Sequence, residues 1–306
     1  MIDPVIRLLA YDDLAAALAL SSTAGWNQRL DDWRMLLRLA PAGSFAALVD
    51  GRIVGTAIGI DYGSFAWIAM MLVDPAQRGR GIGRRLLEVA MSAVPSDRPI
   101  RLDATPLGRP LYQRYGFEDE STLTRYLIPA SDSPPPGGVQ ADGSVAPEGQ
   151  PGRSFSRVRQ LTAGDLQAVA ELDKEVFGGH RDRVLEWALH SAPPLGRIVE
   201  SDGGLVHYSL GRRGRLFDQI GPVVAGDDGT AKALLSASLA GAVGRPVLVD
   251  AFDSHRTFTA WLRTCGFQVQ RPLFRMCRPS SEVTSAPRVP NRPALVEFAI
   301  LGPEFA

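Results

Sequence analysis

Glycines at 79, 81 and 83 stand among Arg78, Arg80, Arg84 and Arg85 in the stretch Val-Asp-Pro-Ala-Gln-Arg-Gly-Arg-Gly-Ile-Gly-Arg-Arg, residues 73–85. An apolar run over 65–73 precedes it and reads as a buried strand, and 86–91 reads as the start of a helix. A glycine-rich turn between strand and helix lets backbone N–H groups crowd around an anion at the helix N-terminus, and the arginines add formal charge. The chemistry on offer is the binding of phosphate or pyrophosphate. A nucleoside-triphosphate loop needs G-x-x-x-x-G-K-[ST], and no Lys-Ser/Thr follows these glycines. The dinucleotide fingerprint needs G-x-G-x-x-G, and residue 84 is arginine. What remains is Arg-x-x-Gly-x-Gly over 78–83 behind a Val-x-Pro strand end. The alternative is an ordinary Arg/Gly-rich surface turn. Strand, proline, loop and amphipathic helix in that order favour the cradle.

Such a loop needs a scaffold, and the first half of the chain supplies one. The pattern predicts a strand over 6–9, a helix over 12–23 with Asp12 as N-cap, and a second helix over 30–39. A hairpin over 45–49 and 53–61 turns at Asp50-Gly51, and the strand over 65–73 leads into the loop and its helix. A strand over 100–104, a short helix over 107–115 and a strand over 117–128 complete this half. The second half repeats the order. It has helices over 165–177 and 182–190, strands over 198–200, 204–210 and 216–224, and a helix over 230–240. A strand over 246–250, a helix over 257–264 and strands over 267–277 and 295–301 follow.

The halves also share motifs. Arg7-x-Leu9-x-x-x-Asp13-Leu14 recurs from Arg159, Pro99-x-x-x-Asp103-Ala104 recurs from Pro246, and Gly116-Phe117 with Leu123-x-Arg125 recurs from Gly266, at offsets of 152, 147 and 150 residues. Ordered matches at near-constant offset indicate a duplicated domain. Between the halves, residues 129–152 hold six prolines and five glycines with no apolar period, which predicts an irregular linker.

Composition narrows the function classes. The chain has 306 residues, enough for two domains, with 45% hydrophobic content. Its formal net charge is zero, which gives no global electrostatic case for nucleic acid or an anionic membrane. Two cysteines, Cys265 and Cys277, without a Cys/His cluster argue against a disulfide framework and a structural zinc site. No leader pattern or 18-residue apolar run is present, so a cytoplasmic location is expected.

The Arg-x-x-Gly-x-Gly loop, joined to Leu111-Tyr-Gln-Arg-Tyr-Gly-Phe117, which is close to Leu-Tyr-x-x-x-Gly-Phe, resembles the GNAT superfamily of acetyl-CoA-dependent N-acetyltransferases over residues 5–128. The wider string over 102–112, with Gly25-Trp26-Asn27, is similar to a bacterial subgroup that carries a second acetyltransferase-like domain. The resemblance implies an α/β (α+β) fold of two tandem GNAT-type domains, each a mixed, mostly antiparallel sheet flanked by helices. It implies a catalytic domain over 1–128, the linker over 129–152 and a degenerate domain over 153–306. It also implies acetyl-CoA as co-substrate, no metal, and a small-molecule amine that attacks the thioester directly. The backbone of Leu72 and Val73 would pair with the pantetheine arm, and the loop from Arg78 through Gly79, Arg80, Gly81, Ile82 and Gly83 to Arg84 would take the pyrophosphate. Tyr112 stands where the family often has the acid for the leaving thiolate; the alternative is an aromatic that packs its helix.

A general base is less evident. Many relatives use a glutamate on the third strand, and 67–72 contains no carboxylate. Asp61 could act directly or through water, although a solvated turn aspartate before Gly63 is the favoured reading. Asp103 has an echo in Asp250, which points to a shared structural role. Trp26 and Asn27 fall in the region that shapes the acceptor pocket in relatives, with core packing the alternative for Trp26.

In the second half the segment matching the loop, 224–230, has no arginine and carries Asp227 and Asp228; Leu262 replaces Tyr112. This domain is expected to bind no CoA. Asp253 and His255 follow its strand and are candidates for contact with an acceptor held near the domain interface; an exposed histidine is the alternative. A homodimer is possible. Two other readings remain open, a non-catalytic acetyl-CoA or CoA sensor and a protein N-acetyltransferase.

Overall fold

The computed structural model describes residues 4–131, 158–200, 206–280 and 295–305, so most of the expected linker lies outside the described residues. These residues fall into two compact units. Unit 1 holds those up to 120 with 274–280 and 303–305; unit 2 holds 121–273 with 295–302. Among the described residues no helix is long and apolar enough to cross a membrane.

Unit 1 begins with β1 (Val5–Leu8), α1 (Leu14–Thr23), α2 (Leu30–Leu39), β2 (Ser44–Val49), β3 (Arg52–Asp61) and β4 (Ala66–Val73). The loop, α3 (Ile82–Ser92), β5 (Ile100–Ala104) and α4 (Arg109–Gln113) follow, and β6 (Glu118–Ile128) leads into unit 2. Strands β1 to β4 pair antiparallel in chain order, and β4 pairs parallel with β5. The apolar face of α3, with Leu86, Leu87 and Ala90, packs with Ala66 and Ile68 of β4 and Ile100 and Leu102 of β5 into one buried cluster. Asp13, rather than the expected Asp12, organises the entry to α1: its carboxylate accepts from the Ala10 N–H at 2.8 Å and pairs with Arg7. The same pair recurs as Arg159–Asp165, so the repeated motif encodes one local ion pair used twice.

Unit 2 contains β7 (Arg159–Gln160), α5 (Leu166–Phe177), α6 (Asp182–Ser191), β8 (Arg197–Glu200), β9 (Val206–Arg213), β10 (Asp218–Ala225), α7 (Asp228–Ala240), β11 (Val247–Phe252), α8 (Arg256–Thr264) and β13 (Val296–Ile300), and β12 (Gln268–Arg278) crosses from it into unit 1 at Phe274. Its sheet repeats the antiparallel run β7 to β10 and the parallel pair β10–β11.

The halves differ from the expected contiguous domains in one respect. The outer edge of β5 is paired with Phe274 to Arg278 of β12, and the outer edge of β11 with Leu123 to Ile128 of β6. Each unit is therefore completed by a strand from the other half of the sequence. Alternation identifies such a segment as a strand but not the sheet to which it adds. Directly opposed residues lock each exchanged strand. Arg275 grips Asp103 at 2.9 and 3.0 Å, and Arg125 grips Asp250 at 2.6 and 2.6 Å. Both aspartates have 0% side-chain exposure, so a register slip would strand a charge in the interior. This is the structural role that the Asp103/Asp250 echo implied.

Candidate active site

The parallel ladder between β4 and β5 covers Ala66↔Ile100 and Trp67↔Arg101, beyond which the two strands part into a V. On its other side β4 slips register against β3 between Thr56 and Ile58. Met70 sits at this bulge with φ 51°, a conformation that costs a side-chain-bearing residue about 1–3 kcal/mol. The Thr56 hydroxyl donates to the Met70 carbonyl at 2.8 Å and holds it there. Leu72 and Val73 follow on the strand that edges the V.

The loop then turns on Asp74, whose carboxylate accepts from the Ala76 N–H at 2.9 Å. Gly79 and Gly81 have φ of 76° and 77°, and Gly81 is the N-cap of α3 with no side-chain cap. A Cβ added to either would meet nothing within 4 Å, so the backbone here faces open space. First-turn N–H groups of an uncapped helix, with the positive end of its dipole, suit a diphosphate. Ile82 is buried, so its contribution to the loop is its backbone, while Gly83 packs against the Val73 side chain. Arg78, Arg80 and Arg84 are exposed. Arg78 donates to the Val73 carbonyl at 3.1 Å, and Arg80 to Gln77, so both also shape the loop.

Tyr112 is 8% exposed and meets the Phe117 ring edge-on at 5.9 Å. Burial pushes its phenol pKa well up, so the hydroxyl keeps its proton. Tyr115, three residues on, packs at the margin of the same core and donates to Glu88 at 2.5 Å. Asp61 lies where β3 pairs with the first residue of β4; its carboxylate accepts from the Gly63 N–H at 2.8 Å and pairs with Arg98. It is a turn aspartate in a salt bridge, the reading the sequence favoured.

Side chains alternate along β4, so Trp67 turns away from the α3 face to which Ala66 and Ile68 contribute. That opposite face carries a feature absent from the sequence reading. Residues 303–305 belong to unit 1 and lie on it. The Trp67 indole donates to the Pro303 carbonyl at 3.0 Å, the Tyr62 hydroxyl to the Phe305 carbonyl at 3.0 Å, and Gln28 Nε2 to Glu304 Oε1 at 3.0 Å. Phe305 is wholly buried, worth about 2–3 kcal/mol for an aromatic of its size. Gln28 follows Trp26 and Asn27 in the α1–α2 connection; Asn27 and Gln28 are buried and Trp26 half-buried.

Unit 2 keeps the scaffold but differs at the matching loop and strands. Strands β10 and β11 part after Asp218↔Val247 and Gln219↔Leu248, and β13 lies between them, antiparallel to both. A Cβ on Gly221 would fall 1.9 Å from the Ile300 carbonyl oxygen, so β13 is seated against the strand itself. Counted from the first parallel pair, Pro222 stands where Met70 stands in β4, and proline has no N–H to offer. Asp227 caps α7: its carboxylate accepts from the Thr230 N–H at 2.8 Å. Leu262 is wholly buried. The His255 ring stacks on Phe298 at 4.0 Å and shares a hydrogen bond with the Glu297 carbonyl at 3.1 Å, so it fastens β13; Asp253 beside it is half-buried.

Two models described as acetyltransferase (GNAT) domain match the chain, one over 41–119 and one over 169–287. The chain is a tandem GNAT-family protein. It is 26% identical over 272 residues to the uncharacterized N-acetyltransferase YitH of Bacillus subtilis, covering 87% of this chain and 88% of that protein. It is 24% identical over 255 residues to the holothin acyltransferase of a Pseudoalteromonas species, covering 83% and 80%. In fold it is similar to a Pyrococcus horikoshii protein assigned as an acetyltransferase, with a TM-score of 0.71 at 23% identity over 99% of this chain and 96% of that one.

Proposed function

We propose that this GNAT protein is an N-acetyltransferase that moves the acetyl group of acetyl-CoA to the amine of a small molecule, with its chemistry in unit 1. The observation that carries this reading is the contrast between the units: Gly79 and Gly81 leave an open, uncapped helix N-terminus beside a parted pair of strands, whereas Asp227 and β13 fill the same places in unit 2. The backbone of 78–84 holds the diphosphate, and the edges of Leu72 and Val73 align the pantetheine amides. The thioester then lies in the V, where backbone donors at the Met70 bulge face the carbonyl on which charge develops. The neutral amine attacks directly, the C–S bond breaks, Tyr112, protonated across the working range, gives its proton to the thiolate, and the proton shed by the attacking nitrogen passes through water and restores the phenol. Likeness to the holothin acyltransferase supports a small-molecule acceptor.

The test is thiol release from acetyl-CoA with a panel of polyamines, amino acids and aminoglycosides, alongside calorimetry of acetyl-CoA. Binding with turnover supports the transferase. Binding without turnover across the panel supports a sensor, and no binding refutes both.

A further inference from the structure

The turn between β5 and α4 holds a glycine that its backbone does not need. Gly108 has φ −81° and ψ −30°, values open to any residue, and alanine is the better helix former at such angles. What the position lacks is room. A Cβ there would lie 3.1 Å from Cε2 and 3.7 Å from Cζ of Tyr112, so the hydroxyl end of the ring rests on bare backbone. The ring also meets Phe117 edge-on at 5.9 Å, and among the described residues its hydroxyl has no hydrogen-bond partner. Packing therefore aims the phenol. Gly108 itself is pinned, since its N–H donates to the Thr105 carbonyl at 3.0 Å and to Thr105 Oγ1 at 3.2 Å. Leu111, next to Tyr112, lies 4.0 Å from where a Cβ of Gly83 would stand, which puts α4 beside the first turn of α3. In the second half, at the 150-residue offset of the Gly-Phe motif, Leu262 matches Tyr112 and the wholly buried Phe258 matches Gly108. The half without the phenol carries a large ring where the other half leaves a hydrogen atom.

We propose that Gly108 is the positioning residue for Tyr112 as the acid of the transfer, an inference that rests on the transferase reading. The missing side chain leaves a seat for the hydroxyl end of the ring, and the seat sets the distance from the phenol proton to the leaving sulfur. An added methyl forces its neighbour to give by a few tenths of an ångström. The turn is tied twice to Thr105, whereas no hydrogen bond among the described residues holds the phenol, so the ring yields rather than the backbone. A general acid must stay within hydrogen-bond reach of the atom it protonates, so a displaced hydroxyl slows the chemical step. The diphosphate cradle is built from other residues and keeps its affinity.

The experiment loads the full chain with acetyl-CoA and mixes it with spermidine, lysine or kanamycin as amine probes. Single-turnover thiol release reads the chemical step, and calorimetry reads acetyl-CoA affinity. With a probe that wild type acetylates, Gly108→Ala should lower the transfer rate about tenfold, and Gly108→Val further, at wild-type acetyl-CoA affinity. The deciding comparison is made in Tyr112→Phe, which has no proton to misplace. There Gly108→Ala should add no further loss, because the two changes act on one step. A wild-type rate in Gly108→Ala overturns the positioning role. So does the same tenfold loss in the Tyr112→Phe background, which would mark a merely structural effect, and so does loss of acetyl-CoA binding in Gly108→Ala. Thiol release by wild type with none of the probes would instead sink the transferase reading, and the role of Gly108 with it.

Discussion

Gly81 and Tyr112 test the two ends of the proposed reaction. Gly81 holds φ 77°, a region that costs an ordinary L-residue roughly 1–2 kcal/mol, and Gly81→Val would place branched carbon where the diphosphate must approach. Acetyl-CoA affinity should fall at least about tenfold by calorimetry, with circular dichroism unchanged. Tyr112→Phe keeps the ring against Phe117 and removes only the hydroxyl, so acetyl-CoA binding should persist while single-turnover transfer falls roughly 10²-fold. Because burial raises the phenol pKa, the wild-type rate should show no loss from this group between neutrality and its ordinary value of 10.0. At this scale the sequence was informative where chemistry needs a particular residue type. Gly79 and Gly81 stand out as candidates by spacing, and Tyr112 only by resemblance to Leu-Tyr-x-x-x-Gly-Phe. Met70 does not, since methionine carries no mark of a positive φ, and no local spacing could connect Gln28 with Glu304.

Among the elements, β13 rests on a buried charge cluster. Arg181 pairs with Asp173 at 2.7 Å and with Glu297 of β13 at 2.9 Å, its guanidinium lies 3.9 Å from the Phe177 ring centre, and the Tyr208 hydroxyl donates to Asp173. Arg181→Ala leaves two buried carboxylates facing one another and should cost about 3–5 kcal/mol in chemical denaturation of unit 2. Two histidines add a pH dependence. His207 takes the Gly226 N–H on Nδ1 at 3.2 Å, and His255 holds Glu297; burial lowers both pKa values from the ordinary 6.5. The unfolded chain therefore binds these protons first. Their contribution is complete above pH 6.5 and declines as pH falls below it, so the denaturation midpoint should drop between pH 7.5 and 5.5, and less so in His207→Asn. Strands and helices were largely legible, because their periods are written in β4, α3 and their echoes. The strand over 295–301 was legible as a strand of the second half, but nothing in its alternation says that it lies between β10 and β11.

The whole chain holds two copies of one architecture, with one V open and the other filled. Restoring glycine at 227 and arginine at 228 should therefore not create a second acetyl-CoA site, because β13 still occupies the V. Calorimetry should give one site per chain for both wild type and Asp227→Gly/Asp228→Arg; two sites would show that the loop alone decides. Duplication was readable from ordered motifs at constant offset. The trade of closing strands was not, since Arg125 and Arg275 sit in matching positions whichever aspartate they grip. That trade has a consequence for biosynthesis. A ribosome delivers β1 to α4 early, yet β5 waits for Phe274 to Arg278, and Trp67 waits for Pro303. The first unit emerges with a raw sheet edge, the kind of surface on which nascent chains pair wrongly. Its completion is tied to the last residues described, so the first unit cannot mature ahead of its companion.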